Sequence, residues 1–245
     1  MSTGPSATQE LQLMSSVLDA KDKSDLLNRM MKAVKSCGFE SFLIGLEVHQ
    51  GDAPPVHHVT SAYPEKWQRI YVDRGYAMLD PTVAYCQRNT APLIWNEAMF
   101  LEAGCMPLLE EAQTFGVSHG ISASFHEPGG NKSMLSLARD QQIGKDQGEK
   151  DHLVAYSTVL SSCMHVMASR FIVPEVREES RPRLTRKELE CLKWVAQGKT
   201  AWEIGQILNV AEPTVVFHLK NVMRKLNVVN RHQAMVVAMR MGYIE

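Results

Sequence analysis

Lys220, Asn221, Arg224 and Lys225 cluster near the end of the run Thr214–Leu226, and on a helix they fall opposite the apolar stripe Val215, Leu219, Val222 and Leu226. Any one of these lysines alone would read as a solvated helix face. Several cations on one side of an ordered helix are instead suited to phosphate oxygens and groove edges, so the chemistry is recognition and the partner double-stranded DNA. A second constellation sets aromatics around a carboxylate: Tyr63, Trp67, Tyr71, Tyr76, Asp80 and Trp95. Bond-breaking chemistry finds little support. His57, His58, His119, His126 and Cys105 have no familiar metal spacing, there is no G-x-S-x-G motif, and Gly129-Gly130 reads as a turn rather than a phosphate cradle. The five scattered cysteines include no C-x-x-C pair and read as small core residues. No catalytic residue, metal or cofactor is expected, and the chain is not read as an enzyme.

The basic helix must be held by others. Thr185 followed by Glu188 is a capping box that opens an amphipathic helix carrying Leu189, Leu192 and Val195, closed at Gly198. Thr200 with Glu203 repeats the signature for a second helix with Ile204, Ile207 and Leu208. A third helix, about Pro213 to Leu226, places Pro in its first turn. Together they predict an all-α helix-turn-helix domain over 184–245. Charge divides accordingly: residues 181–245 hold 11 Lys and Arg against 5 Asp and Glu, while residues 1–180 hold 15 against 22. The basic end suits DNA and the acidic end does not.

Between the two, 173–183 contains Pro174, Pro182 and a charged run, and is expected to be a linker. Residues 1–172 then form one domain, large enough to bury a sizeable core. A helix is expected from about Glu10 to Ser36, strands over Phe42–Leu46 and Val56–Tyr63, and helices near Pro64–Gly75, Pro81–Arg88 and Cys105–Phe115. Gly120–Phe125 and Met134–Ala138 flank Glu127-Pro128-Gly129-Gly130-Asn131, a hairpin signal, and a long helix runs from about Gly148 to Phe171. The predicted fold is α+β: an α/β/α sandwich on an antiparallel sheet, followed by the helical domain. The first residues lack a basic and then apolar run, and no apolar segment is long enough to span a bilayer, so a cytoplasmic protein without a membrane partner is expected.

The order Thr185, Glu188, Glu190, Leu192, Trp194, Ala196, Gly198-Lys199-Thr200, Glu203-Ile204, Thr214-Val215, Phe217-His218, Asn221, Lys225-Leu226 resembles the DNA-binding domain of the LuxR family of transcriptional regulators. By that resemblance the DNA-facing residues are Thr200, Thr214, Val216, His218, Lys220, Asn221, Arg224 and Lys225. Two departures fall on the base-reading helix. Ala211 stands where the family commonly has a Ser cap, and Val216 where a polar or basic side chain is usual. The pattern Tyr63-Pro64, Trp67, Tyr71, Asp80-Pro81, Trp95, with Gly116 and Gly120, is similar to the family's autoinducer-binding domain, most of all to receptors for long-chain acyl-homoserine lactones.

That resemblance implies that Trp67 donates to the lactone carbonyl and that Asp80 accepts the ligand's amide N–H. Tyr63 and Ser136 would bond the amide-side carbonyl, while Leu43, Tyr71, Thr82, Val83, Trp95, Leu108 and Val117 enclose ring and chain. A neutral, amphipathic ligand calls for a few convergent polar groups in an apolar cavity. Plainer roles stand beside these. Asp80 before Pro81 is a good helix N-cap, Trp67 and Tyr71 form an aromatic face at helical spacing, and Ser136 on a mixed strand face suits a ligand or a backbone bond equally. Glu47, where such a pocket would be apolar, is expected to turn to solvent. The implied function is a quorum-sensing transcription factor that binds an N-acyl-homoserine lactone and, as a homodimer, promoter DNA, with RNA polymerase a further expected partner. The alternative is an orphan regulator answering another small molecule or none.

Overall fold

A computed structural model describes residues 7–50, 53–128 and 130–244, and the chain divides into two compact units. The first holds the residues up to Val176 apart from His49–Pro55. Its elements are helices α1 (Ala7–Ser15) and α2 (Lys23–Ser36), strands β1 (Ser41–Gln50) and β2 (Ala53–Ser61), and helices α3 (Glu65–Asp73) and α4 (Pro81–Cys86). There follow β3 (Leu93–Ile94), α5 (Glu97–Glu102), α6 (Met106–Gln113), β4 (His119–His126), β5 (Lys132–Arg139) and α7 (Gln147–Phe171). The five strands form one sheet in the order β2-β1-β5-β4-β3, with β1–β5, β4–β5 and β3–β4 antiparallel.

Side-chain alternation with period two gives the sheet two apolar faces. Phe42, Ile44, Leu46 and Val48 of β1, with Ile121, Leu135 and Leu137, bury against Leu26, Met30, Leu160 and Met164 of α2 and α7. On the opposite face Leu43 and Ala138 meet a second cluster containing Tyr63, Trp67, Tyr76, Phe100, Leu108 and Val117. Helices on both faces make the expected α/β/α sandwich.

Local chemistry explains where the structure differs from the sequence reading. The helix expected over 10–36 is broken, because Asp22 in extended geometry accepts the Asp25 amide and starts α2 afresh, after a 3-10 turn at Ser16–Asp19. Part of the expected linker is helical: Val173–Glu179 forms α8, and Val173 and Val176 are buried in the first core cluster. Two apolar residues three apart gained more from burial than Pro174, tolerated in a first turn, cost the helix. Of the expected hairpin turn, Gly129 lies outside the described residues; the Glu127 amide donates to the Asn131 carbonyl, 2.9 Å, closing it.

The second unit, from Arg177 onward, contains α9 (Arg186–Ala196), α10 (Ala201–Leu208), α11 (Glu212–Lys225) and α12 (Arg231–Arg240). Both capping boxes form, Thr185 with Glu188 and Thr200 with Glu203. Val215 and Val222 of α11 are fully buried and Leu219 and Leu226 nearly so, which is the expected inward stripe. Ala211 occupies the α11 N-cap and offers no side-chain acceptor, although its backbone is already extended. Ala211→Ser should therefore raise unfolding stability by about 1 kcal/mol, read as an increased melting temperature with unchanged helix content.

Candidate functional site

The second apolar cluster of the first unit surrounds a cavity of about 380 Å³. All eleven residues expected to contact a ligand line it: Leu43, Tyr63, Trp67, Tyr71, Asp80, Thr82, Val83, Trp95, Leu108, Val117 and Ser136. The lining also includes Met134, one of the methionines that could line an adaptable pocket, and Val59, Ser61, Gln68, Val72 and Phe100, which the sequence reading did not single out. Phe100 could have been found from helix periodicity; Val59 and Val72, 60% and 75% exposed, carry no such signal.

α3 supplies the aromatic face. The Trp67 ring stands edge-on to Tyr71 at 5.7 Å, lies 5.9 Å from Tyr76 and stacks on Phe115 at 5.9 Å. Two residues after the following 3-10 turn comes Asp80, whose carboxylate fills the expected capping role and also lines the cavity. Oδ1 caps α4 by accepting the Thr82 amide at 2.8 Å and the Thr82 hydroxyl at 2.7 Å. Oδ2 accepts the Tyr71 hydroxyl at 2.9 Å and retains a lone pair at the cavity lining. Burial pushes the Asp80 carboxyl above its ordinary range despite the opposing hydrogen bonds from Thr82 and Tyr71.

Three polar groups remain to serve a ligand. The Tyr63 hydroxyl is buried and has no hydrogen-bond partner, and burial raises its pKa, so it is a neutral O–H. Trp67, 2% exposed, lines the same cavity and carries one indole N–H donor. Ser136 belongs to a short network: Trp95 Nε1 donates to Ser122 Oγ at 2.8 Å, and Ser122 Oγ lies 2.8 Å from Ser136 Oγ. Either hydroxyl of this pair can donate to the other, and Ser136 lines the cavity. Ser122 went unnoticed in the sequence; its cue is that it faces Ser136 across β4 and β5. Gly120 makes the arrangement possible, since a Cβ there would lie 2.8 Å from the Trp95 ring and 2.5 Å from the Leu137 carbonyl oxygen.

Glu47 does not turn to solvent. Its side chain is only 15% exposed and pairs with Lys132, its cross-strand neighbour, at 3.3 Å. Glu47 is absent from the cavity lining. The cysteines are free thiols, and burial raises Cys37 and Cys86 to about 12, as inert core residues require.

In the second unit, α10 and α11 meet at a close turn: a Cβ on Gly205 would sit 2.8 Å from the Val210 carbonyl oxygen. The outward side of α11 presents Thr214, Val216, Phe217, Lys220 and Arg224, all exposed, with His218 and Asn221 half-buried. Arg224 donates to Asn221 Oδ1 at 3.2 Å. Thr200 is exposed but its hydroxyl is taken by the α10 capping box. Lys225 departs from the expected outward set, because its ammonium bonds Glu188 at 2.6 Å and the Arg183 carbonyl at 3.1 Å. Glu188 is 3% exposed and needs that cation. Burial alone would raise its carboxyl, but Lys225 and the Thr185 amide and hydroxyl hold it below the ordinary range.

Comparison with known proteins agrees with both halves. The model of the autoinducer binding domain matches residues 22–165, and that of bacterial regulatory proteins of the luxR family matches residues 182–238. The transcriptional activator protein AnoR of Acinetobacter nosocomialis is 32% identical over 95% of this chain and 97% of its own. LuxR of Aliivibrio fischeri, also a transcriptional activator, is 28% identical over 98% and 96%. Among solved structures, Escherichia coli SdiA superposes with a TM-score of 0.63 at 23% identity, covering 96% of this chain and 98% of that one. AnoR and LuxR both carry the name of transcriptional activators. The chain belongs to the luxR family of bacterial regulatory proteins, with an autoinducer binding domain ahead of a DNA-binding helix-turn-helix.

Proposed function

We propose that the protein is a quorum-sensing receptor that binds an N-acyl-homoserine lactone in the Tyr63–Asp80 cavity and, as a homodimer, places two α11 helices on a two-fold-related promoter site. The cytoplasm is the compartment this reading requires, with residues 1–172 as sensor and 184–245 as DNA reader. The observation that carries it is the convergent polar set of the cavity, in which the Tyr63 hydroxyl is buried without a partner. A buried donor without a partner, Tyr63 O–H, stands with Trp67 and the acceptor Asp80 Oδ2 in a mainly apolar cavity. A ligand with two carbonyls and one amide N–H can engage all three, and leaving the Tyr63 hydroxyl buried and unpaired costs about 1–3 kcal/mol.

Filling the cavity couples to DNA binding through stability. A ligand bound only by the folded state adds RT ln(1 + [L]/Kd), about 2.7 kcal/mol at a hundredfold excess over Kd. Thermal melting of the full chain with a matched panel tests the reading: an acyl-homoserine lactone, the corresponding acylglycerol without the amide N–H, and the free fatty acid. The lactone should give the largest upward shift. Equal shifts from all three, or none from the lactone, would instead favour a regulator of another small molecule or of none.

The raised Asp80 carboxyl gives a pH dependence. A carboxyl whose folded pKa exceeds 3.8 lowers the stability of the empty protein as pH rises through that folded value, because the fold holds the proton more tightly than the unfolded chain. A bound amide N–H favours the ionised form. Lactone affinity should therefore be greatest near neutral pH and fall as pH drops toward 4, measured by calorimetric titration. A flat profile over that range would remove Asp80 from the amide contact.

A further inference from the structure

On the cavity face of the sheet, β1, β5 and β4 align three successive cross-strand rows: Leu43–Ser136–Ser122, then Gly45–Met134–Ser124, then Glu47–Lys132–His126. The rows change character along the sheet. Leu43 and Ser136 line the cavity in the first and Met134 in the second, whereas no residue of the third does. That third row is polar throughout: Glu47 pairs with Lys132 at 3.3 Å, and the His126 ring is hydrogen-bonded to the Cys86 carbonyl at the end of α4, 2.8 Å.

The polar anchors Tyr63, Asp80 and Ser136 fix where a ligand's head group sits. An alkyl chain running from them along the sheet meets Met134 and then the ion pair. Pushing methylenes against the half-buried Glu47–Lys132 pair strips its remaining water from the charges and gives nothing back.

We propose that Met134 and the Glu47–Lys132 pair form an end-stop that sets the length of acyl chain accepted, so that short and medium chains bind in preference to long ones. This rests on the lactone reading of the cavity. It departs from the long-chain preference that the overall resemblance implies, and the departure traces to Met134, Glu47 and Lys132.

The test is titration of the full-length protein with straight-chain N-acyl-homoserine lactones from butanoyl to tetradecanoyl, reading Kd and melting shift. Affinity should rise with each methylene up to a maximum and then fall. Met134→Ala should move the maximum to longer chains, with a gain of about fourfold for each methylene newly accommodated. Gly45→Ala should move it to shorter chains; a Cβ there meets Met134 Cβ at an ordinary 3.7 Å, so the fold is kept even if the first variant proves unstable. The double variant Glu47→Leu with Lys132→Leu should flatten the fall beyond the maximum.

A maximum unchanged in all of these, with lactones still bound, would overturn the end-stop alone. So would a maximum that moves only with Val72→Ala, which would show the chain leaving between the exposed Val59 and Val72. Failure of every lactone to bind the wild type would overturn the lactone reading, and the end-stop with it.

Discussion

Asp80→Asn should fold normally and bind an acyl-homoserine lactone about ten- to a hundredfold more weakly than the wild type. The two halves of that expectation come from the two oxygens. Asn caps helices as well as Asp does, and its carbonyl can keep the place of Oδ1 on the Thr82 amide, so α4 and the adjacent turn survive. The other oxygen becomes an NH2 group. It can still bond the Tyr71 hydroxyl, which then accepts, but it presents a donor where the ligand's amide also presents a donor. A hydrogen bond to a charged group is lost, worth about 1.5–3 kcal/mol, which sets the range of affinity loss. Because a buried charge is removed, the empty variant should melt no lower than the wild type. Melting curves with and without lactone measure both halves together. A large melting shift retained in the variant would mean that Asp80 serves only to cap α4.

Lys220→Ala and Arg224→Ala should weaken promoter binding while leaving ligand-induced stabilisation intact. Both side chains are exposed on α11, and neither forms an ion pair with an acidic side chain among the described residues. If each meets a phosphate, its removal lowers the slope of log affinity against log salt by about 0.9 per contact, and by twice that in a two-fold complex. Arg224 also holds Asn221, so its loss should relax base preference as well as affinity. Lys225→Ala offers the contrast: it strips the cation from buried Glu188, so its effect is on melting of the helix-turn-helix, by about 1–3 kcal/mol, before any effect on DNA. Fluorescence anisotropy with a promoter fragment at several salt concentrations separates these outcomes. Wild-type slopes in both the Lys220 and Arg224 variants would show that α11 does not read the DNA.

Residues with strong local signals were legible before the structure. The Thr185–Glu188 and Thr200–Glu203 pairs, the α11 stripe and the β4–β5 hairpin depend on neighbours a few positions apart, and all formed as expected. The family pattern placed the eleven cavity residues, although their spacing alone allowed plain packing for most of them. Most of what stayed hidden depends on partners distant in sequence. The Asp22 cap that splits the first helix was a local signal left unread, whereas the burial of Val173 and Val176 and the two-residue strand β3 are decided by what the rest of the chain places beside them. Lys225 and Glu47 were misjudged for the same reason. Each looked like a surface charge until Glu188 and Lys132 were seen opposite them.

What the cavity holds decides between a lactone receptor and the other readings. Native mass spectrometry of the full chain, produced in a lactone-synthesising host, measures this directly. Wild-type protein should carry one acyl-homoserine lactone per chain, and Asp80→Asn purified in parallel should carry little or none. Wild-type protein that emerges with no lactone, and takes up none when the compound is added, would contradict the account.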